Sequence, residues 1–168
     1  MPHNPPVQPH VAAAQAENAD LRSRLRALAD EIAEDAGFYV VEVQVRGQKG
    51  SRIIEVFVDG DAGIGTDDLA RVSRSLAFLL DTEDLVRGKY HLNVSSPGAD
   101  SPLRLLRQYP QHYGRTLAVR YAVDGEEANA LGALVGVGPQ SITIEAGDGS
   151  STEIPFADVT DARVQLPW

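Results

Sequence analysis

Residues 94–104 read "VSSPGADSPLR", and how this stretch is read decides how many modules the chain contains. Val94 ends a run of alternating apolar and polar residues, and the chain then turns sharply. Pro97 suits position i+1 of a turn, and Gly98 suits position i+2 of a type II turn, where φ is positive. Asp100 or Ser101 is placed to cap a following helix, with Pro102 in its first turn. A turn this rich in serine could be an active site, a phosphate cradle or a joint. The G-x-S-x-G elbow that exposes a nucleophilic serine is missing. Every residue has a backbone role, so Ser95, Ser96, Pro97, Gly98, Asp100 and Pro102 read as a hinge between two modules.

Upstream of the hinge the pattern is α-β-β-α-β. Leu21, Leu25, Leu28 and Ile32 recur at spacings of 4, 3 and 4, which predicts a helix over 12–36 with one apolar face and Gly37 as its C-cap. "FYVVEVQVRG" (38–47) then switches to period two, with Tyr39, Val41, Val43 and Val45 facing one way and Glu42, Gln44 and Arg46 the other. "RIIEVFVDG" (52–60) is a second strand with Ile54, Val56 and Val58 on one face, completing a β-hairpin. "TDDLARVSRSLAFLLD" (66–81) predicts a helix capped by Thr66, with Asp67 and Asp68 at the positive end of its dipole and Leu69, Val72, Leu76 and Leu79 as its buried stripe. "KYHLNVSS" (89–96) is the third strand, with Tyr90, Leu92 and Val94 inward. A three-stranded sheet covered on one face by two helices is the economical packing.

Downstream the texture changes. "GRTLAVRYAV", "NALGALVGVG", "QSITIEAG", "STEIPFADV" and "TDARVQL" are short β-like runs separated by Gly, Asp and Pro. They predict a small β-barrel of about five strands. The expected organisation is a disordered tail at 1–11, an α+β domain at 12–97, a turn and short-helix linker at 98–114, and an all-β barrel at 115–168.

The chain has 168 residues and 43% hydrophobic content, enough for a packed core. It has no cysteine, which removes disulfides, thiolate nucleophiles and cysteine-containing zinc sites. The opening "MPHNPPVQPH" has no basic or apolar signal region, and no uncharged apolar run approaches the roughly 18 residues of a membrane span. These features predict a soluble, cytoplasmic protein without membrane contact. The four histidines, His3, His10, His91 and His112, show no metal-ligand spacing. Trp168 is expected to pack on the barrel or a domain joint.

The net charge of −9 opposes strong binding to a phosphate array and favours a basic protein partner. The charge is also unevenly placed. From Ile53 to Ala70 there are five acids, Glu55, Asp59, Asp61, Asp67 and Asp68, and no Lys or Arg. From Ser101 to Val123 there are four arginines, Arg104, Arg107, Arg115 and Arg120, and no acid. The polarity predicts an acidic face for a basic protein and a small basic joint as the candidate RNA contact. The loop "DGDAGIG" (59–65) contains a G-x-x-G, but Asp59 and Asp61 would repel phosphates. Its glycines read as turn formers.

Several of these stretches resemble the bacterial ribosome maturation factor RimP family. The family's most recognisable run is V-S-S-P-G, a residue, then D-R-P-L, and here Val94-Ser95-Ser96-Pro97-Gly98-Ala99-Asp100-Ser101-Pro102-Leu103 matches it except that Ser101 replaces the arginine. Gly63 to Asp68 followed by Val72-Ser73-Arg74, then Leu80-Asp81-Thr82-Glu83-Asp84, and the late "EIPFADV" (153–159) are similar to other family features. The resemblance spans roughly residues 15–166. It implies an α+β N-terminal domain followed by an Sm-like (SH3-like) barrel. It also implies a non-enzymatic assembly factor, without cofactor or metal, that binds the immature small (30S) ribosomal subunit. The partners implied are a basic small-subunit ribosomal protein, the twelfth, and small-subunit rRNA. We expect a monomer. The alternative is an Sm-like RNA-binding regulator acting directly on RNA.

Overall fold

The computed structural model describes residues 9–167. The expected tail at 1–11 lies outside the described residues as far as residue 8, and Trp168 lies outside them too. The first helix, α1 (Pro9–Asp35), begins at Pro9, three residues before the expected start. It ends as predicted at Gly37, whose φ of +87° lets Phe38 N reach Ala33 O (2.8 Å) and Gly37 N reach Glu34 O (3.0 Å). These are the paired bonds of a Schellman cap.

β1 (Tyr39–Arg46) and β2 (Arg52–Asp59) form the predicted antiparallel hairpin. α2 (Thr66–Thr82) then crosses over to β3 (Tyr90–Ser95), which lies parallel to β2 in the sheet order β1-β2-β3. Ile54, Val56 and Val58 are fully buried, as the alternation required.

Three details differ from the sequence reading. A bulge between Val40 and Glu42 shifts the phase of β1, so Val40 rather than Val41 joins Val43 in the helix-facing core. The guanidinium of Arg26 binds the carbonyls beside the bulge, with Nη2 donating to Val40 O at 2.9 Å and Nη1 to Val41 O at 3.4 Å. On α1 the fully buried set is Leu21, Leu25, Ala29 and Ala33, with Leu28 and Ile32 packed at its margin, because alanine lets the helix backbone approach the sheet closely. On α2 the buried stripe is Val72, Leu76 and Leu80 rather than Leu79. Its N-cap is Gly65 without a side-chain bond, so Thr66 is the first helical residue and not the cap. Asp67 and Asp68 do occupy the first turn, where the helix dipole favours them.

The chain divides into two compact units. The first holds residues through Asp59 together with Ile64–Ser96, and the second holds Gly60–Gly63 and the chain from Pro97 on. The second unit is a five-stranded antiparallel sheet, the strand complement of the small barrel read from the sequence. Its strands are β4 (Thr116–Val123), β5 (Glu126–Val137), β6 (Ser141–Glu145), β7 (Ser151–Pro155) and β8 (Val159–Val164), in the order β7-β6-β5-β4-β8. β5 starts three residues earlier than the sequence reading placed it. Asp124 and Gly125 both take positive φ (52° and 80°) and make a two-residue hairpin with β4. All five strands contribute to one core, through Leu117, Val119, Leu134, Ile142, Ile154 and Ala162 among others.

Tyr109 enters this second core edge-on to Phe156, with ring centroids 6.0 Å apart at 85°. Its hydroxyl is buried with no protein partner among the described residues. Burial, with a smaller contribution from the nearby Asp161 charge, pushes its pKa up to about 12. A tyrosine in the unfolded chain titrates near 10. The stabilisation is therefore complete below about pH 10 and is lost as pH rises toward 12, a fall of roughly 2–3 kcal/mol. Denaturant titrations at pH 8 and pH 11 should show about half of that fall, roughly 1.4 kcal/mol, in the parent chain and its absence in Tyr109→Phe. An equal fall in both proteins would place the titrating group elsewhere.

Candidate interaction surfaces

The hinge segment takes a different local course from the one its residues suggested. Ser95 closes β3 opposite Phe57, and Ser96 is exposed. Gly98 does not adopt a left-handed φ. Its carbonyl accepts from Ser101 N at 3.0 Å, so Gly98 is the first residue of its turn and not the third. A Cβ added there would meet Ser101 Oγ at 3.0 Å, the movable end of a side chain. A larger residue at 98 therefore requires no left-handed backbone, only movement of the Ser101 side chain. Asp100 and Ser101 cap no helix, and Pro102 starts none, because the next helical turn begins at Leu106.

Beyond this turn the chain packs onto the sheet of the second unit. Leu103 is buried and its N–H donates to Ala162 O at 2.8 Å. Arg163 Nη1 donates to Asp100 O at 3.4 Å. Two short 3₁₀ turns, Leu106–Gln108 and Pro110–His112, lead into β4. Sequence reasoning passed over Gln108, although it is 1% exposed. Its Oε1 accepts from the N–H of Arg104 (2.8 Å) and of Leu105 (2.9 Å). A glutamine beside Leu105, Leu106 and Tyr109 was the available signal, since a polar side chain in apolar company is buried only with partners.

The five acids do not form one bare face. Glu55 points from the middle of β2 and pairs with Arg46. Asp61 is gripped by Arg107 through two bonds, Nε to Oδ1 at 2.8 Å and Nη2 to Oδ2 at 3.1 Å. That hydrogen bonding, helped by the guanidinium's attraction and opposed by slight burial, holds the Asp61 carboxyl below its ordinary pKa. The stabilisation is present above the usual carboxylate range and lost as pH falls through the lowered value. It is small, because both side chains are more than half exposed. Gly60 and Gly63 make the turn expected of them, with Gly63 N on Gly60 O at 2.9 Å and Gly63 at φ +83°. Asp59 closes β2, and Asp67 and Asp68 lie in the first turn of α2, all three in the first unit. Asp68 lies 4.0 Å from Arg71, too far for a strong pair.

The four arginines divide likewise. Arg107 is engaged by Asp61, and Arg120 lies 3.7 Å from Glu127 and 3.9 Å from Asp161. Arg104 and Arg115 are exposed, Arg115 immediately before β4. Among the described residues no helix is long and apolar enough to cross a membrane.

Comparison with known families agrees with this architecture. Residues 28–100, which run from the middle of α1 through β3 to the turn at Gly98, match the family described as the RimP N-terminal domain.

Proposed function

From the match of residues 28–100 to the RimP N-terminal domain, we propose that the chain is a ribosome maturation factor of that family, which binds the immature small ribosomal subunit and promotes its maturation without catalysing a covalent step. The observation that carries this reading is the family match across 28–100, which covers the sheet, α2 and the serine–proline motif. The chain acts as a cytoplasmic monomer. Its partner is a basic small-subunit ribosomal protein, the twelfth, met by Asp59, Asp67 and Asp68 at the β2–α2 connection. Binding the assembly-competent arrangement more tightly than its alternatives shifts the population toward it. A direct RNA regulator acting through the barrel is less well supported. Residues 115–168 carry three arginines against eight acids, and two of those arginines lie near Asp161.

Pull-down of tagged protein from growing cells should enrich immature over mature small subunits. Asp67→Lys/Asp68→Lys should weaken binding to the basic ribosomal protein about tenfold, mainly through slower association. Equal recovery of both particles, or of neither, would sink the proposal.

A further inference from the structure

The first unit contains a basic cleft that the sequence reading did not single out, since its cations are spread over more than sixty residues of chain. It encloses about 390 Å³ between the N-terminal half of α1, the β1–β2 turn and the α2–β3 connection. Four cations, Arg24, Lys49, Arg52 and Arg87, face two carboxylates, Glu17 and Asp20. A net positive cleft is an exception on a chain of charge −9.

Arg52 is its fixed point. It is 7% exposed, the first residue of β2 and on the same face as Ile54, Val56 and Val58. Asn18 Oδ1 accepts from its Nε at 3.2 Å, and Glu17 Oε2 from its Nη2 at 3.2 Å. Asn18 Nδ2 in turn donates to Gly47 O at 2.9 Å, tying α1 to the hairpin turn. Arg52 Nη1 makes no hydrogen bond to the described residues.

The rim is held as firmly. Gly88, at φ +78°, lies so close to the hairpin turn that a Cβ there would sit 2.9 Å from Gly50 N. The two turns touch backbone to backbone, which sets Lys49 beside Arg87. Asp20 already faces Arg24 at 3.4 Å, whereas Lys49 and Arg87 have no ion-pair partner among the described residues. The acids of the α2–β3 connection, Glu83 and Asp84, do not line the cleft.

We propose that this cleft binds the phosphate backbone of RNA. A buried guanidinium with an uncommitted edge, flanked by two unpaired cations on rigid turns, is preorganised for phosphate oxygens. No aromatic side chain lines the cleft, so no base is stacked there and the contact is independent of sequence. The inference rests on the ribosome-assembly reading and gives it a second contact. β2 runs from Arg52 to Asp59, so the cleft and the acids at the β2–α2 connection lie at opposite ends of one strand, roughly 23 Å apart at about 3.3 Å per residue. One end of the unit suits RNA and the other a basic protein.

The test is fluorescence anisotropy of the full chain with a labelled 20-nucleotide single strand of small-subunit rRNA sequence, titrated with salt. Lys49→Glu/Arg87→Glu should weaken binding at least tenfold at low salt and lower the slope of log K against log salt by about 1.4, at about 0.7 per lost contact. Arg71→Glu/Arg74→Glu, two exposed arginines of α2 that do not line the cleft, should stay within about twofold of the parent. Parent protein that does not bind the RNA at low salt, or a cleft variant that binds as the parent does, overturns the proposal. So does displacement of the RNA by inorganic phosphate where chloride of equal ionic strength is without effect, which would assign the cleft to a small anion. Subunit pull-down with the same proteins separates the two readings. If the parent enriches immature subunits while the cleft variant keeps its RNA affinity, only this inference fails.

Discussion

Gly132→Ala is expected to destabilise the second unit by about 3 kcal/mol or more, near the upper end of what one added methyl costs in a packed region. Gly132 lies in β5 opposite Leu117. A Cβ built there would collide with Glu145 O and stand 2.7 Å from Glu145 C and 3.1 Å from Ala146 Cα. These are backbone atoms at the end of β6 and have no rotamer by which to give way. β5 is fixed on both sides, by β4 across Leu117 and by β6 across the Ala133–Glu145 pair. Admitting the methyl therefore means peeling the end of β6 away. Gly147 is the control, since a Cβ there meets nothing within 4 Å, and Gly147→Ala should be close to neutral. Chemical denaturation followed by a probe confined to the second unit measures both. A loss below about 1 kcal/mol for Gly132→Ala would mean that β6 moves freely at this point.

Gln108→Leu should cost about 2–4 kcal/mol, although it replaces a polar side chain in a core by an apolar one of similar size. Area bookkeeping alone would favour leucine. The opposing effect is larger: removing Oε1 strips the acceptor from the part-buried N–H groups of both Arg104 and Leu105, and each donor left without a partner costs up to about 1–3 kcal/mol. The damage should concentrate in 101–109, where Leu103 and Tyr109 dock into the core. Faster amide exchange there, together with a lower denaturation midpoint, is the expected result. A variant within about 0.5 kcal/mol of the parent would show that the two N–H groups find another acceptor.

Those two residues also mark the boundary of what could be read from sequence. The α-β-β-α-β order, the core face of β2 and the five strands of the second unit followed from apolar periodicity, a local signal. The family was legible in the Val94–Leu103 run. The bulge in β1 was not, because alternation carries no sign of an extra residue. The conformation of Gly98 was misread because its turn is closed by Ser101 and not centred on Pro97–Gly98. The Asp124-Gly125 hairpin had a readable dipeptide that went unused. The candidate surfaces were least legible, since charge pairing is decided far along the chain. Arg107 meets Asp61 across 46 positions, and Arg52 meets Asn18 and Glu17 across 34 and 35. Alternation along β2 places Arg52 on the face of Ile54, Val56 and Val58, but only α1 folded over that face supplies the partners that its guanidinium needs.

The tight Asp124-Gly125 reversal also ranks the seams of the second unit. β4 meets β5 across three positions at Val123–Glu126, but meets β8 across 38 at Tyr121–Val159. Loop-closure entropy weighs about 2 kcal/mol more heavily on the second seam than on the first. Whatever loosens this unit detaches β8 before it parts β4 from β5, so the strand nearest its neighbour in sequence is the last to let go.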